Sequence, residues 1–520
     1  MAFTHFTSSL FFIFAFSSFV HADIPGIERR ESIAELEHLL VDNGGYNAAP
    51  FFAAVSPCSN YVGFAEGKQN QGEQTSAQWV RFAFHDFVTA DLSAGTGGID
   101  ASLGFESERE ENMGLFVEDT MEFLATSVSA YLSTADHVPL AVLLAIASCG
   151  AHPEAIPLRV GRIDATQAGP AGVPGPLDAL EPTLARFAKA GFAANETIAL
   201  TACGHSLGRV HHSNFPEIVD GSAVSATNLN GGVAFDSSPA AVDPNVMNEY
   251  LTGTNGRGGP LVTSPNIAAR SDLRLFSSDG NATIQTLSKT FAQTCSALFE
   301  KMLNTVPKTV SLSDPVAPQT WKATNVIYDI SDDGGVHIEG LFRYLQTGDA
   351  AAPETVSFVT TSSKPSAMQA SNKVVGTGTS LFGNTTYWDF EGAIESPGTT
   401  SLSFQGVDYP LNDEIFILAS QSSVDGNAIR IKAAAATTIT GGLGSATATL
   451  YVPVAQEGSK AVRISPVTVP LMQFGTAGNY TLYQGMAMVE NTENVIAKVV
   501  LGDKESQTVK TSLFNSDCAN

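Results

Sequence analysis

From residue 27 to about residue 313, apolar side chains recur at helical spacing. Ile33, Leu36 and Leu40 share one face and stop at Gly44-Gly45. Leu177, Leu180, Leu184 and Phe187 repeat the pattern before Gly191, and such spacing predicts amphipathic helices. Asn195 stands where a cap is expected for a helix through Ile198 and Leu200. Glycine- and proline-rich loops at 169–176 and 253–260 separate these segments. After Pro315-Val316-Ala317-Pro318 the pattern changes. Short runs rich in Val, Ile, Thr and Tyr appear at 354–361, 401–407, 414–419, 428–432, 446–454, 462–469, 480–483 and 495–501, with a turn signal at Asp425-Gly426. Regular short strands without helical period predict a β-sandwich. The expected architecture is multidomain: an all-α domain over 23–320, then an all-β sandwich-like domain over 321–520.

Composition agrees with a globular chain: 520 residues, 43% apolar and only 15% charged. The formal charge of −25 argues against nucleic acid or an anionic membrane surface as a main partner. An apolar run from Leu10 to Val20 is short for a bilayer span, and Val20-His21-Ala22 follows. It reads as a signal peptide over 1–22, a membrane anchor being the alternative. Sequons at Asn195, Asn281, Asn384 and Asn479 fit secretion and a glycoprotein. The five cysteines, Cys58, Cys149, Cys203, Cys295 and Cys518, permit two bridges in an oxidising compartment, with pairing open.

Two segments carry the candidate chemistry. In Trp79-Val80-Arg81-Phe82-Ala83-Phe84-His85-Asp86 a helix sets Arg81 and His85 on one face and turns Asp86 away. Asp86, the Gly98 carbonyl, Asp100 and Ser102 then suit a hard cation such as calcium, which takes about six to eight oxygens. In Cys203-Gly204-His205-Ser206-Leu207-Gly208-Arg209 another histidine precedes an oxygen ligand. With Asp236, Ser238, the Ala241 carbonyl and Asp243, Ser206 makes a second calcium-like set. The bland readings are a salt-bridged helix with a polar loop, and two unrelated turns.

These segments resemble the motifs of the plant, fungal and bacterial haem peroxidase superfamily, most nearly the secreted class II fungal enzymes. Arg81-Phe82-Ala83-Phe84-His85-Asp86 resembles the distal motif. His205-Ser206-Leu207-Gly208-Arg209 resembles the proximal one, and Pro157-Leu158-Arg159-Val160-Gly161-Arg162-Ile163-Asp164-Ala165 the stretch between them. The likeness spans residues 50–310. It implies haem b and two calcium ions as cofactors, with hydrogen peroxide and a small reducing substrate as partners. His205 becomes the haem-iron ligand, with Asp279 as its hydrogen-bond partner. Phe84 lies beside the haem. His85 and Arg81 act on peroxide. Asn112 orients His85, and Glu106 orients Asn112, although the default for the acid-rich stretch 106–111 is a solvated face. Cys149 resembles half of a family disulfide whose natural partner is Cys58, and Cys203 is expected as a buried thiol.

Departures bear on the reducing substrate. Where manganese-oxidising relatives carry carboxylates, this chain has Gln74, Gln78 and His211, so manganese oxidation is not expected there. Where lignin-oxidising relatives carry an exposed tryptophan, it has Leu200. His211 and His212 are expected on the surface, and Ser331-Asp332-Asp333-Gly334 as a solvated turn. The function implied is a secreted, extracellular peroxidase oxidising small phenolic-type donors. Its β half contacts a wall polysaccharide or partner, stabilises the enzyme, or covers the haem domain. The alternative is a binding or adhesion protein whose peroxidase-like half is inactive.

Overall fold

The computed structural model describes residues 24–516 apart from 25, 64–71, 153, 332, 363–366 and 441–444. The signal segment, Asp332 and Cys518 therefore lie outside the described residues. Among those described, no helix is long and apolar enough to cross a membrane.

The first half is built mainly of helices. They include α1 (Arg29–Val41), α2 (Thr75–Val88), α3 (Phe116–Ala125), α4 (Thr134–Ser148), α5 (Leu180–Lys189), α6 (Ala194–Gly204), α7 (Ser271–Phe276) and α8 (Ala282–Leu303). Local chemistry sets their ends. The Ser133 hydroxyl accepts the Asp136 N–H at 3.0 Å and so caps α4. Two expectations shift here. Leu177 lies outside α5, which begins at Leu180 after the Gly- and Pro-rich loop, and Leu177 is exposed. Asn195 falls inside the first turn of α6, where the Glu196 carboxylate accepts the Ala193 N–H at 2.8 Å instead. The domain is also not wholly helical: Arg209–His211 pairs antiparallel with Gly232–Ala234.

Two disulfides tie the helices. Cys58 joins Cys149, as the resemblance implies. Cys203 is not a thiol: it bonds Cys295 and couples α6 to α8.

In the second half the strands include β1 (Trp321–Ile330), β2 (Val336–Gln346), β3 (Gly383–Ile394), β4 (Ile415–Ile417), β5 (Ala428–Ala436), β6 (Thr447–Ala455) and β7 (Tyr480–Met488). Several lie outside the expected set, β1, β2 and β3 among them. In β1 a register shift between Thr324 and Ile327, with Asn325 at φ 55°, breaks the alternation that marks a strand in sequence. The turn at Gly426 and the exposed turn after Ser331 are present, the latter with the Asp333 carboxylate accepting from Ser331 and Gly335.

A single sandwich is also too simple. Ile429, Ile431, Ala433 and Ala435 of β5 face an aliphatic core with Leu450 and Val452 of β6. Ala434 and Ala436 face an aromatic core with Phe342, Trp388 and Phe390. The period of two along one strand thus serves two cores, and alanine lets β5 be buried on both faces.

The halves interlock through α1. Its chain runs directly into Gly44–Gly45, which adds an edge strand to the sheet of β3, β2 and β1 by pairing with Thr379 and Gly378. Gly45, at φ 81°, has no room for a Cβ, which would lie 2.7 Å from the Thr377 carbonyl oxygen. Beside it, the fully buried Glu37 of α1 meets Lys322 of β1 at 2.7 Å and Arg343 of β2 through both guanidinium nitrogens. Asp42 accepts from Arg343 and from the Tyr387 hydroxyl. Burial alone raises the carboxyl pKa of Glu37, but Lys322 and Arg343 outweigh it and hold it at about 2.

Candidate active site

A cavity of about 790 Å³ opens between α2 and α6 and is lined by both histidine segments, including Arg81, Phe84, His85 and His205. Its size falls in the ordinary range for a cofactor site, roughly 300–1,000 Å³.

On one wall, α2 turns Arg81 and His85 inward while Trp79, Phe82 and Phe87 anchor its back in the core. His85 Nδ1 lies 2.8 Å from Asn112 Oδ1, and the Arg81 Nε–H donates to His85 Nε2 at 3.3 Å. An amide oxygen only accepts and a guanidinium only donates, so the imidazole carries its proton on Nδ1 and presents a lone pair at Nε2. Burial, then the Arg81 charge, lowers the His85 pKa to about 3, against the opposing bond to Asn112. The Phe116 ring packs 4.8 Å from His85, and the Arg81 guanidinium carbon sits 3.9 Å above it. Burial lowers the Arg81 pKa to about 10, so the side chain stays charged at neutral pH.

The Asn112 amide donates to the backbone carbonyl of Glu106 at 3.0 Å, not to its carboxylate. That carboxylate is buried, pairs with Arg109 at 2.7 Å and accepts the Gly169 N–H at 2.8 Å. Glu111 accepts the Gly172 N–H at 2.8 Å. The stretch 106–111 is therefore no simple solvated face: two of its acids pin loop 169–173, and Val173 and Pro174 line the cavity.

On the other wall His205 caps the C-terminus of α6. Its Nδ1 lies 2.8 Å from Asp272 Oδ2, and its ring stacks on Phe235 at 4.3 Å. Asp279 is not the partner. It is exposed and accepts the Thr283 N–H and hydroxyl at the start of α8, whereas Asp272 is buried in the first turn of α7. Sequence reasoning missed Asp272, Phe235 and Phe116. Asp272 stands one short helix upstream of Asp279, so an acid opening a helix next to an apolar turn was the available signal.

The two calcium-like loops differ in completeness. Asp86 accepts the Asp100, Ala101 and Leu103 N–H groups at 3.0, 2.9 and 3.2 Å. Burial and then the Asp100 charge nevertheless raise its pKa well above the usual carboxylate range. A buried carboxylate and a partly buried one in mutual repulsion, with the Ser102 N–H on Asp100, suit a hard cation. In the second loop Asp236 accepts from Ser238 through Oδ1, while its buried Oδ2 has no hydrogen-bond partner. Burial chiefly, with Asp243 and Glu249 nearby, raises its pKa to about 6. Asp243 accepts from Asn245, and the Ser206 hydroxyl donates to the Cys203 carbonyl. Among the described residues no three His, Cys, Asp or Glu side chains cluster as metal ligands, so hydroxyl and carbonyl oxygens would complete either site.

The positions tied to substrate choice line the cavity, with the glutamine amides donating away from it. Gln74 donates to the Cys58 carbonyl at 2.7 Å, and Gln78 to Asp119 at 2.9 Å. His211 is buried, not on the surface, because its short strand packs Nε2 against the Gly72 carbonyl at 2.9 Å. Leu200 is buried on the cavity wall, and Trp79 is wholly buried at the back of α2, packed on Phe51 and Phe123. The stretch 157–165 stays outside the cavity and acts as a buckle: Asp136 holds the Gly161 and Arg162 N–H groups, and Asp164 accepts from Thr134 and Ala135.

The cavity thus has two walls with a histidine on each. Residues 63–294 match the family model described as Peroxidase, and the chain carries a domain of that family. Over 308 residues it is 38% identical to a WSC domain-containing protein of Arthroderma benhamiae, covering 58% of this chain and 41% of the relative. It is 32% identical to manganese peroxidase 3 of Phlebia radiata (35% of this chain, 51% of the relative). With the versatile peroxidase VPS1 of Pleurotus eryngii it shares 31% (35% and 48%). The chain thus spans about half the length, or less, of these curated relatives.

Proposed function

We propose that the chain is a secreted, extracellular haem peroxidase that reduces hydrogen peroxide and oxidises small phenolic-type one-electron donors. One observation carries this reading: a neutral His85 oriented by Asn112 and flanked by Arg81 shares one cavity with a His205 oriented by Asp272.

The residues fit haem b. His205 directs Nδ1 at a buried carboxylate, which leaves Nε2 for iron and makes the imidazole a stronger donor. Phe84 and Leu200 give the cavity apolar surface. Bound haem supplies the redox chemistry that divides the peroxide oxygens. His85 Nε2 takes the proton from one peroxide oxygen and passes it to the departing one, and its low basicity keeps it neutral between turnovers. Arg81 stabilises the negative charge that builds as those oxygens separate. Asn112 holds the proton on Nδ1, so Nε2 stays the acceptor.

Two calcium ions would be held by Asp86, Gly98, Asp100 and Ser102, and by Ser206, Asp236, Ser238, Ala241 and Asp243. Each set includes the neighbour of a key histidine, so the ions would hold both histidines in place. With neutral amides at Gln74 and Gln78 in the cavity lining and Leu200 buried, the reductant meets the cavity itself.

The test is to load the full chain with haem, add hydrogen peroxide, and follow the absorption spectrum and a phenolic dye. The expected result is a spectral change and dye oxidation, both lost in His85→Leu. A haem-loaded chain that does neither overturns the proposal.

A further inference from the structure

The loop between β6 and the strand Val462–Pro470 leaves the β half and lands on the elements that frame His85. Its Lys460 N–H donates to the Gly104 carbonyl at 2.8 Å. Ala461 is buried in the core of the helical half, not in that of the sheets. A Cβ on Gly104 would lie 2.9 Å from Ser459 Oγ and 3.2 Å from the Ala461 nitrogen, so the backbones meet without a gap. The Lys460 ammonium reaches Glu118 of α3 at 3.0 Å.

Both landing points lead to the distal histidine in a few bonds. Gly104 lies in the turn Ser102–Phe105, whose Leu103 N–H the Asp86 carboxylate accepts, and Asp86 follows His85 on α2. The turn runs on to Glu106, whose carbonyl accepts from Asn112, the residue that orients His85. Glu118 stands on α3 with Phe116, whose ring packs on His85 and under Arg81. We infer that loop 456–461 of the β half is a positioning device for the distal site: Lys460 and Ala461 clamp turn 102–105 against α3 and so keep Asn112 and His85 in register. Its catalytic meaning rests on the peroxidase reading, but the clamp itself does not.

The experiment uses the full chain and hydrogen–deuterium exchange at residues 103–112, with α8 as the internal reference. Lys460→Glu sets two carboxylates face to face on an exposed surface. It should raise exchange at 103–112 by up to about fivefold, the scale of one exposed ion pair. The swap Lys460→Glu with Glu118→Lys should restore protection. Ala461→Glu, which puts a carboxylate into the buried contact, should raise exchange further at the same residues. In the haem-loaded enzyme the two single variants should lower the rate of the peroxide step and leave KM for the reducing donor unchanged, and the swap should restore that rate. Unchanged exchange at 103–112 in Lys460→Glu, or a rise spread equally over α8, overturns the clamp. If Ala461→Glu does not fold, the Lys460 pair decides alone. A wild-type chain inert to peroxide whose variants still loosen 103–112 refutes the peroxidase reading and keeps the clamp. An active chain with indifferent variants does the reverse.

Discussion

The cavity and the junction between the halves bury ionisable groups in opposite ways. At the junction Glu37 and Asp42 meet Arg343 and Lys322, and the charges are matched inside the protein. Around the cavity three groups are not: His85 faces Arg81, Asp86 faces Asp100, and Asp236 keeps an oxygen without a partner. Matched buried charge specifies how two surfaces fit and asks nothing of solvent or ligand. Unmatched buried charge has its complement supplied from outside, by a proton, an ion or a substrate, so it marks the working part of the molecule.

Substitutions can test this contrast, beginning with the largest effect. His85→Leu should slow the peroxide reaction by about 10²–10⁴-fold, the usual worth of a positioned acid–base group, while haem is retained. Stopped-flow absorbance measures it. At the junction, Glu37→Ala strips Lys322 of its carboxylate and leaves Arg343 only Asp42, which should cost about 3–5 kcal/mol, read as a fall in Tm. The same pair predicts a pH dependence. The Glu37 carboxyl is near 2 when folded and near 4.5 when free, so its stabilisation is complete above pH 4.5 and drains away as pH falls towards 2. Acid unfolding of the wild type should be steeper over that window than that of Glu37→Gln.

Smaller effects sharpen the contrast. Asp272→Asn should weaken haem retention or turnover by about 10–100-fold, as loss of a ligand's hydrogen-bond partner commonly does, whereas Asp279→Asn should leave both unchanged. Chelating calcium should lower Tm by an amount that added calcium restores and magnesium does not. With calcium at about a hundred times its Kd the expected gain is roughly 2.7 kcal/mol. Asp236→Asn should remove the share of that response owed to the second loop and leave the share of the first.

Much of the site was legible because its parts are local. Arg81 and His85 lie one helical turn apart, and Asp86 necessarily points elsewhere, so helix geometry alone places them. Asn112 was legible through its motif. Asp279 misled because the distance from His205 to its partner is a matter of packing: α7 places Asp272 inward, and Asp279, beyond its end, serves α8. Cys203 misled for the same reason, since α6 and α8 meet only in the fold. In the β half, strands with regular alternation were legible, whereas β1 was hidden by its bulge. The double burial of β5 was hidden because a run of alanines has no preferred face.

The sequence by itself determined the local grammar: the helices of the first half, strands after residue 320, and two histidine segments with oxygen ligands beside them. These follow from short-range sterics and periodicity, which a chain carries wherever it folds. Tertiary structure alone decided which carboxylate serves His205, that Cys203 pairs with Cys295, and that a loop of the β half rests on the turn behind His85. Those are contacts between residues far apart in the chain, and their energies come from burial and close packing that exist only once the surfaces have met.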